Sequence, residues 1–296
     1  MIQTSSLQIV CRPALTRDRA DVIEFCKGIW DGDDYVPEVW DDWFNDPNGI
    51  LGVAEINGHA VACSKISLIS KGQWWLEGFR VDPKVQGYRV GSRIHDFVTD
   101  WWLEHGDGTL RLMTSSENLA VHHVCLKTGF FKTHEICAYK ATPIAESTGS
   151  FSSVTDLSEA ASFAIAAESI KTTNRLIDLG WRIAKPNEQV FEIYSNENAG
   201  FIHKFYWWKG KQGLFSAWKD EDSEKRTLVL GVIACALKDM PALLGDIRRF
   251  AAQEKFDSIF QIAFDTPQIV SQLEDAGFEK HWKEHNAFIF EKEHPA

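Results

Sequence analysis

The sequence contains no pair of cysteines spaced C-x-x-C; its six cysteines stand at 11, 26, 63, 125, 137 and 235. That spacing excludes the common zinc patterns and a short disulfide framework, and it implies a reducing compartment and no metal. No apolar run approaches the ~20 residues that a membrane span needs. The opening stretch MIQTSSLQIVCRP lacks both a charged n-region and a long apolar h-region. The expectation is a soluble cytoplasmic protein that does not engage membranes. Positive charge is also short: 31 Lys and Arg face 42 Asp and Glu, a formal net charge of −11, with a pI of about 5.4. Such a surface repels phosphate backbones, which argues against a nucleic-acid partner. It weakly favours cationic or zwitterionic small molecules, although an acidic balance is equally an ordinary solubility feature.

What the chain does have is enough apolar material for full cores. It runs to 296 residues, 44% hydrophobic, with 12 Trp and 19 Phe. That length suits one large or two ordinary domains, and the composition excludes disorder. Most of the aromatics are expected in the core, with a few left to line a pocket.

The most informative stretch runs from Trp74 to Phe130. WWLEGFRVDP reads as a buried strand that stops at Pro83. QGYRVGS, Gln86 to Ser92, follows, and then a helical pattern in which Ile94, Phe97, Val98, Trp101 and Trp102 share one face. A strand, a glycine-containing turn and a helix start can present backbone N–H groups to phosphates. Gly87 and Gly91 leave room for close approach. Taken alone the turn is weak evidence: it has no G-K-[ST] and no third glycine, so it is neither a Walker A loop nor a dinucleotide fingerprint. TLRLMTSS then reads as a strand, and Asn118 opens a helix that Gly129 ends in a left-handed C′ position.

At these residues the chain resembles the GNAT superfamily of N-acetyltransferases. Val81-Asp82-Pro83, Gln86 and Gly91 match its strand end and pyrophosphate loop. Asn118, Lys127, Gly129 and Phe130 match its later motif in the same order and spacing, with Val121, Val124 and Cys125 standing at its remaining positions. Two positions depart: Arg89 replaces the middle glycine of the loop, and Cys125 replaces the tyrosine that often protonates the leaving thiolate. The resemblance implies acetyl-CoA as cosubstrate. Its pyrophosphate is expected on Gln86, Gly87, Tyr88, Arg89, Val90, Gly91 and Ser92, and its pantetheine arm along Phe79 and Val81, with Asn118 nearby. Cys125 is read chiefly as a small buried hydrophobe. His122 and His123 are adjacent on one helix, face different directions, and are assigned no role.

Upstream, Leu7 to Arg12 reads as a strand closed by Pro13, and Thr16 to about Gly28 as a helix. The segment Ile29 to Gly49 is crowded with Asp and aromatics, and Trp40, Trp43 and Phe44 predict a short helix. Asp33, Asp34 and Tyr35 precede it. They form either a place for an acceptor amine, Asp34 and Tyr35 in particular, or a solvated acidic loop whose carboxylate caps the helix. Asp34-Tyr35-x-Pro37, with Leu76-Glu77-Gly78-Phe79-Arg80-Val81, is similar to the GNAT subgroup that includes histidine N-acetyltransferase, which implies an amino acid or similar small amine as acceptor. Asn57-Gly58 marks a hairpin. Strict alternation along the central strand puts Trp75, Glu77, Phe79 and Val81 on one face and Leu76, Gly78 and Arg80 on the other. A carboxylate in so apolar a strand is either a general base raised by desolvation or a structural ion-pair partner, in the neighbourhood of Arg80 or of Lys65. Glu77 is the expected base.

The second half echoes the first. After a polar segment at 143–154, read as a linker, three strands, a helix from Met240, a strand, a helix from Thr266 and a final strand pair repeat the order. The fold expected is α/β: two tandem GNAT-like domains, each a mixed central sheet flanked by helices, at 1–142 and 155–296. The second carries no pyrophosphate loop, because Lys238-Asp-Met-Pro241 stands where the cradle would be. The expected function is acetyl transfer to the amine of a small molecule, with oligomeric state open between monomer and homodimer. The competing reading is a non-catalytic GNAT-like protein that binds CoA or another ligand.

Overall fold

The computed structural model describes residues 8–147, 150–196, 202–220 and 225–295. Its contacts divide the chain into two compact units, 1–112 with 120–131 and 291–296, and 113–119 with 132–290. These are not the 1–142 and 155–296 segments that composition marks out. Composition follows chain continuity, whereas compact units follow strand pairing, which joins residues far apart in sequence.

In the first unit the order is β1 (Ile9–Pro13), α1 (Asp18–Cys26), α2 (Val36–Asn45), β2 (Ile50–Ile56), β3 (His59–Ser70), β4 (Gln73–Val81), α3 (Val90–His105), β5 (Thr109–Ser115, its first four residues) and α4 (Leu119–Lys127, from Ala120). β1 through β4 pair antiparallel, each with the next, and β5 lies parallel to β4. Pro13, expected to close the first strand, is its last residue and pairs opposite Gly52. α1 and α2 close one face of the sheet through Val22, Phe25, Trp40, Trp43, Leu51 and Cys63. Of the aromatic triplet expected on α2, Trp40 and Trp43 are buried and Phe44 is exposed. α4 ends as the glycine predicts: Gly129 has φ +84, and the Phe130 N–H returns to the Cys125 carbonyl at 2.9 Å.

The second unit contains β6 (Phe131–Ala141, from Lys132), β7 (Phe151–Ser153), α5 (Leu157–Ala166), α6 (Glu168–Lys171), β8 (Ile177–Asp178), β9 (Ile183–Ala184), α7 (Glu188–Ser195), β10 (Lys204–Trp208), β11 (Gly213–Asp220), β12 (Thr227–Cys235), α8 (Met240–Gln253), β13 (Ser258–Phe264), α9 (Pro267–Asp275), β14 (Glu279–Lys280) and β15 (Ala287–Glu293, to Phe290). Its sheet runs β6-β13-β12-β11-β10-β7. The linker segment is in part a strand: β7 pairs with β10, and Phe151 meets the rings of Phe215 and Phe250 edge-on, with centroids at 4.9 and 5.5 Å. Residues 148 and 149 of that segment lie outside the described residues. The echo of the first unit is real at the level of elements, since β12 and β13 pair parallel with α8 between them in sequence. The stretch 155–196, to which the sequence pattern assigns no element, holds α5, α6, β8, β9 and α7.

Candidate active site

The site of interest is organised by β4. Its parallel pairing with β5 covers only Gln73↔Thr109 to Trp75↔Arg111, while β4 continues to Val81. On its other edge Cys63 pairs with Arg80 and Lys65 with Glu77, so Ser64 alone stands opposite both Gly78 and Phe79. This is a β-bulge, and Gly78 occupies it at φ +61, a conformation that suits glycine.

The bulge overturns the strict alternation expected for this strand. Cys63, Lys65 and Ser67 share one face of β3, so their partners Arg80, Glu77 and Trp75 share it too. Phe79 and Val81 turn to the opposite side. A Cβ on Gly91 would lie 3.2 Å from Phe79 Cζ and 3.5 Å from Val81 Cγ2, so both side chains pack under α3. Glu77 and Arg80 therefore look toward α1 and α2. An isolated glycine within a strand pattern is the sequence signal for such a bulge.

Glu77 is half-buried, not enclosed. Its carboxylate accepts a hydrogen bond from the Ser67 hydroxyl at 3.2 Å. Lys65, directly opposite on β3, is fully buried and places its ammonium 2.5 Å from Asp46 Oδ2. Beside Glu77 the indole of Trp43 covers Gly78, and Tyr35 meets that indole edge-on at 5.9 Å.

Asp34, expected at the rim to meet an amine, is buried instead. Its carboxylate takes two bonds from Arg80, from Nε at 2.7 Å and Nη2 at 3.1 Å, and a third from the Val36 N–H at 3.1 Å. Burial works against the Arg80 charge, but the Asp34 bonds outweigh it and raise the guanidinium above its ordinary value. Burial, followed by the nearby Asp34 charge, pushes the Cys26 thiol up to about 12. The Arg80 guanidinium lies 4.1 Å over the Trp30 ring and 5.3 Å from that of Tyr35. Trp30 and Asp31 have φ of 48° and 56°, unusual for such side chains, and the Arg80 stack helps hold that turn. Trp30 (60%) and Tyr35 (41%) remain exposed, as do Asp31 and Asp33. Ser67 and Trp30 carry no signal in the local pattern, and only the bulge brings Arg80 onto the face of Glu77.

At the end of β4 the segment Gln86, Gly87, Tyr88 and Arg89 is exposed. α3 begins at Val90, earlier than the apolar spacing from Ile94 implies, so Gly91 and Ser92 lie in its first turn rather than in the loop. Arg89 caps it at φ +62, a left-handed conformation. A Cβ added to Gly87 would meet nothing within 4 Å. Gly87 thus faces open space, whereas Gly91 is small because Phe79 packs on it. Cys125 is fully buried, and burial pushes its thiol up to about 12. Asn118 belongs to the second unit, in the turn before α4, where its N–H reaches the Ser115 carbonyl at 3.1 Å. Among the described residues no helix is long and apolar enough to cross a membrane. None of the described His, Cys, Asp and Glu residues form a group of three or more able to hold a metal ion.

Residues 19–130 match the Acetyltransferase (GNAT) family. Over 87 residues the chain is 32% identical to human "Probable N-acetyltransferase 16", a match spanning 29% of this chain and 24% of that protein. A GCN5-related N-acetyltransferase of Sphaerobacter thermophilus superposes with a TM-score of 0.61 at 14% identity, covering 97% of this chain and 96% of its own. A tandem GNAT protein from the clavulanic acid biosynthesis pathway superposes at 0.62 and 9% identity, covering 98% and 99%. Residues 19–130 are thus similar to GNAT acetyltransferases, and the fold is that of GNAT proteins, tandem ones included.

Proposed function

We propose that this chain transfers an acetyl group from acetyl-CoA to the amine of a small molecule such as an amino acid. The observation that carries the reading is the bulge at Gly78. It keeps Glu77 and Arg80 together on the side of α1 and α2 and turns Phe79 and Val81 under α3. The same strand then runs straight into the exposed loop before the α3 N-terminus.

The residues fit the cosubstrate. Gln86, Gly87, Tyr88 and Arg89 would meet its pyrophosphate with open backbone, the amides of Val90, Gly91 and Ser92 add the positive end of a 16-residue helix, and Arg89 adds a cation. The β4–β5 ladder ends at Trp75↔Arg111, and beyond it the backbone of Phe79 and Val81 would meet the pantetheine arm. Bound there, acetyl-CoA supplies an activated thioester carbonyl.

The chain's own groups do the rest. Glu77, held by Ser67, takes the proton of the acceptor ammonium directly or through water. Tyr35 and Trp30 flank the approach, and Asp31 and Asp33 draw a positively charged amine toward it. The amide near Phe79 would stabilise the developing oxyanion. Holding amine and thioester together supplies much of the acceleration. The thiolate leaves without help from Cys125, since a thiol of pKa near 8.5 is a fair leaving group.

The test is calorimetric titration of acetyl-CoA into wild type and Arg89→Glu, followed by thiol release over a panel of amino acids, polyamines and aminoglycosides. Binding by wild type, weakened at least tenfold in Arg89→Glu, with turnover of an amine lost in Glu77→Gln, is expected. A folded wild type that binds no acetyl-CoA would sink the reading. Binding with no turnover of any amine would move it to a non-catalytic ligand-binding protein.

A further inference from the structure

The second unit repeats the strand geometry on which a cosubstrate site depends. β12 and β13 pair in parallel from Thr227↔Ser258 to Leu230↔Gln261, after which β12 continues to Cys235 and β13 to Phe264. Past that point β12 needs partners for backbone groups that no longer meet β13.

They are supplied from within the same unit. The Ser169 hydroxyl donates to the Ile233 carbonyl at 3.0 Å and accepts the Cys235 N–H at 3.0 Å. One short hydroxyl thereby satisfies an acceptor and a donor two residues apart, as an amide-bearing arm laid along the strand would. Ser169 is buried, with Ile170, Leu176 and Ile177 beside it at 2–5% exposure. Next to it, Glu168 Oε2 accepts the Leu237 N–H at 2.9 Å. Leu237 opens the turn that leads into α8, the same place in the element order as the turn between β4 and α3. A carboxylate thus sits where the first unit would place a phosphate. That turn is also shorter, 236–239 against 82–89, so no loop remains to cradle one. The space left between Ser169, Asp178, Gly231, Ile233, Gln261 and Phe264 is about 40 Å³, room for a few water molecules.

We infer that the segment Glu168–Asp178 is a built-in surrogate for the cosubstrate, closing the second unit's strand splay so that the chain binds a single acyl-CoA, in its first unit. The surrogate accounts for a splayed sheet with no ligand to complete it: β12 keeps its backbone hydrogen bonds and its buried apolar contact permanently. The stoichiometry rests on the function proposed above; the closure of the second splay does not.

Two measurements separate them. In calorimetry, wild type takes up one acetyl-CoA per chain, and Arg89→Glu retains no site of wild-type affinity. Two per chain, or a site untouched by Arg89→Glu, overturns the inference; no binding at all overturns the proposed function and leaves the inference to the second measurement. Hydrogen exchange read at single amides supplies it. The Cys235 and Leu237 amides are protected in wild type to the same degree with and without acetyl-CoA. Ser169→Ala raises exchange at Cys235, and Glu168→Ala at Leu237, each by at least tenfold, while β11 and α9 stay protected as a check that the unit is folded. Unchanged exchange at Cys235 in a folded Ser169→Ala variant, or a further gain of protection there on adding acetyl-CoA, overturns it.

Discussion

The six-membered ring of Trp43 lies against the Cα of Gly78, so close that a Cβ there would come within 2.3 Å of Cη2 and Cζ3. Helix α2 and the bulge in β4 are therefore fitted to each other, and the direction of Glu77 depends on that fit. Gly78→Ala adds the clash to the strain of an L-residue at φ +61. We expect a loss of roughly 2–4 kcal/mol in denaturant unfolding. In the double variant with Trp43→Ala the two losses should add to less than their sum, which a double-mutant cycle measures.

Glu77→Gln keeps the shape of the side chain and its bond to Ser67 but removes the proposed base. The expected outcome is a fall in kcat of about 10²–10⁴ with melting temperature and acetyl-CoA affinity unchanged. A fall in affinity equal to the fall in turnover would show Glu77 to be a binding group instead.

The ion pair between Asp34 and Arg80 is buried, with side-chain exposures of 1% and 10%. Asp34→Ala leaves the guanidinium without its partner, for a loss of about 3–5 kcal/mol. Replacing both, as Asp34→Leu with Arg80→Met, should cost less than Asp34→Ala alone. Chemical denaturation of the variants tests this.

His95 is 3% exposed, with Nε2 2.9 Å from the Thr128 hydroxyl, and burial, then Lys292, pushes its pKa down to about 4. Protons therefore bind the unfolded chain better, near the ordinary 6.5. Stability from this group is full above about pH 6.5 and is lost as pH falls toward 4, by about 2–3 kcal/mol. Unfolding curves between pH 7.5 and 4.5 should show that slope in wild type and a flatter one in His95→Gln.

Asp178 has the opposite sign. It is 4% exposed, its Oδ1 accepts the Trp181 N–H at 3.1 Å, and its Oδ2 finds no hydrogen-bond partner among the described residues. Burial raises its pKa to about 7, against backbone bonds that lower it. Its contribution is full below the unfolded value near 3.9 and is lost as pH rises through 7, by a few kcal/mol. Asp178→Asn keeps the Trp181 bond and should raise the melting temperature at pH 8 while leaving it nearly unchanged at pH 4.

Much of this protein was legible along the chain because the deciding interactions are local. Pro83, the apolar spacing through Trp102, and the αL glycine at 129 act within a few residues, and each marks the element that forms there. The repeated order of strands and helices announced two related halves for the same reason. Gly78 was visible too, but a glycine in a strand signals a bulge without saying which way the strand turns afterward.

That direction is a property of pairing. Only the register of Cys63 and Lys65 against Arg80 and Glu77 puts the carboxylate and the guanidinium on one face, and only the meeting of Asp34 with Arg80 removes Asp34 from the rim. The sequence by itself determined the elements, their order and the residue types able to do acyl-transfer chemistry. The tertiary structure decided which of those residues face the same space, because hydrogen-bond register and close packing between distant segments leave no trace in local spacing.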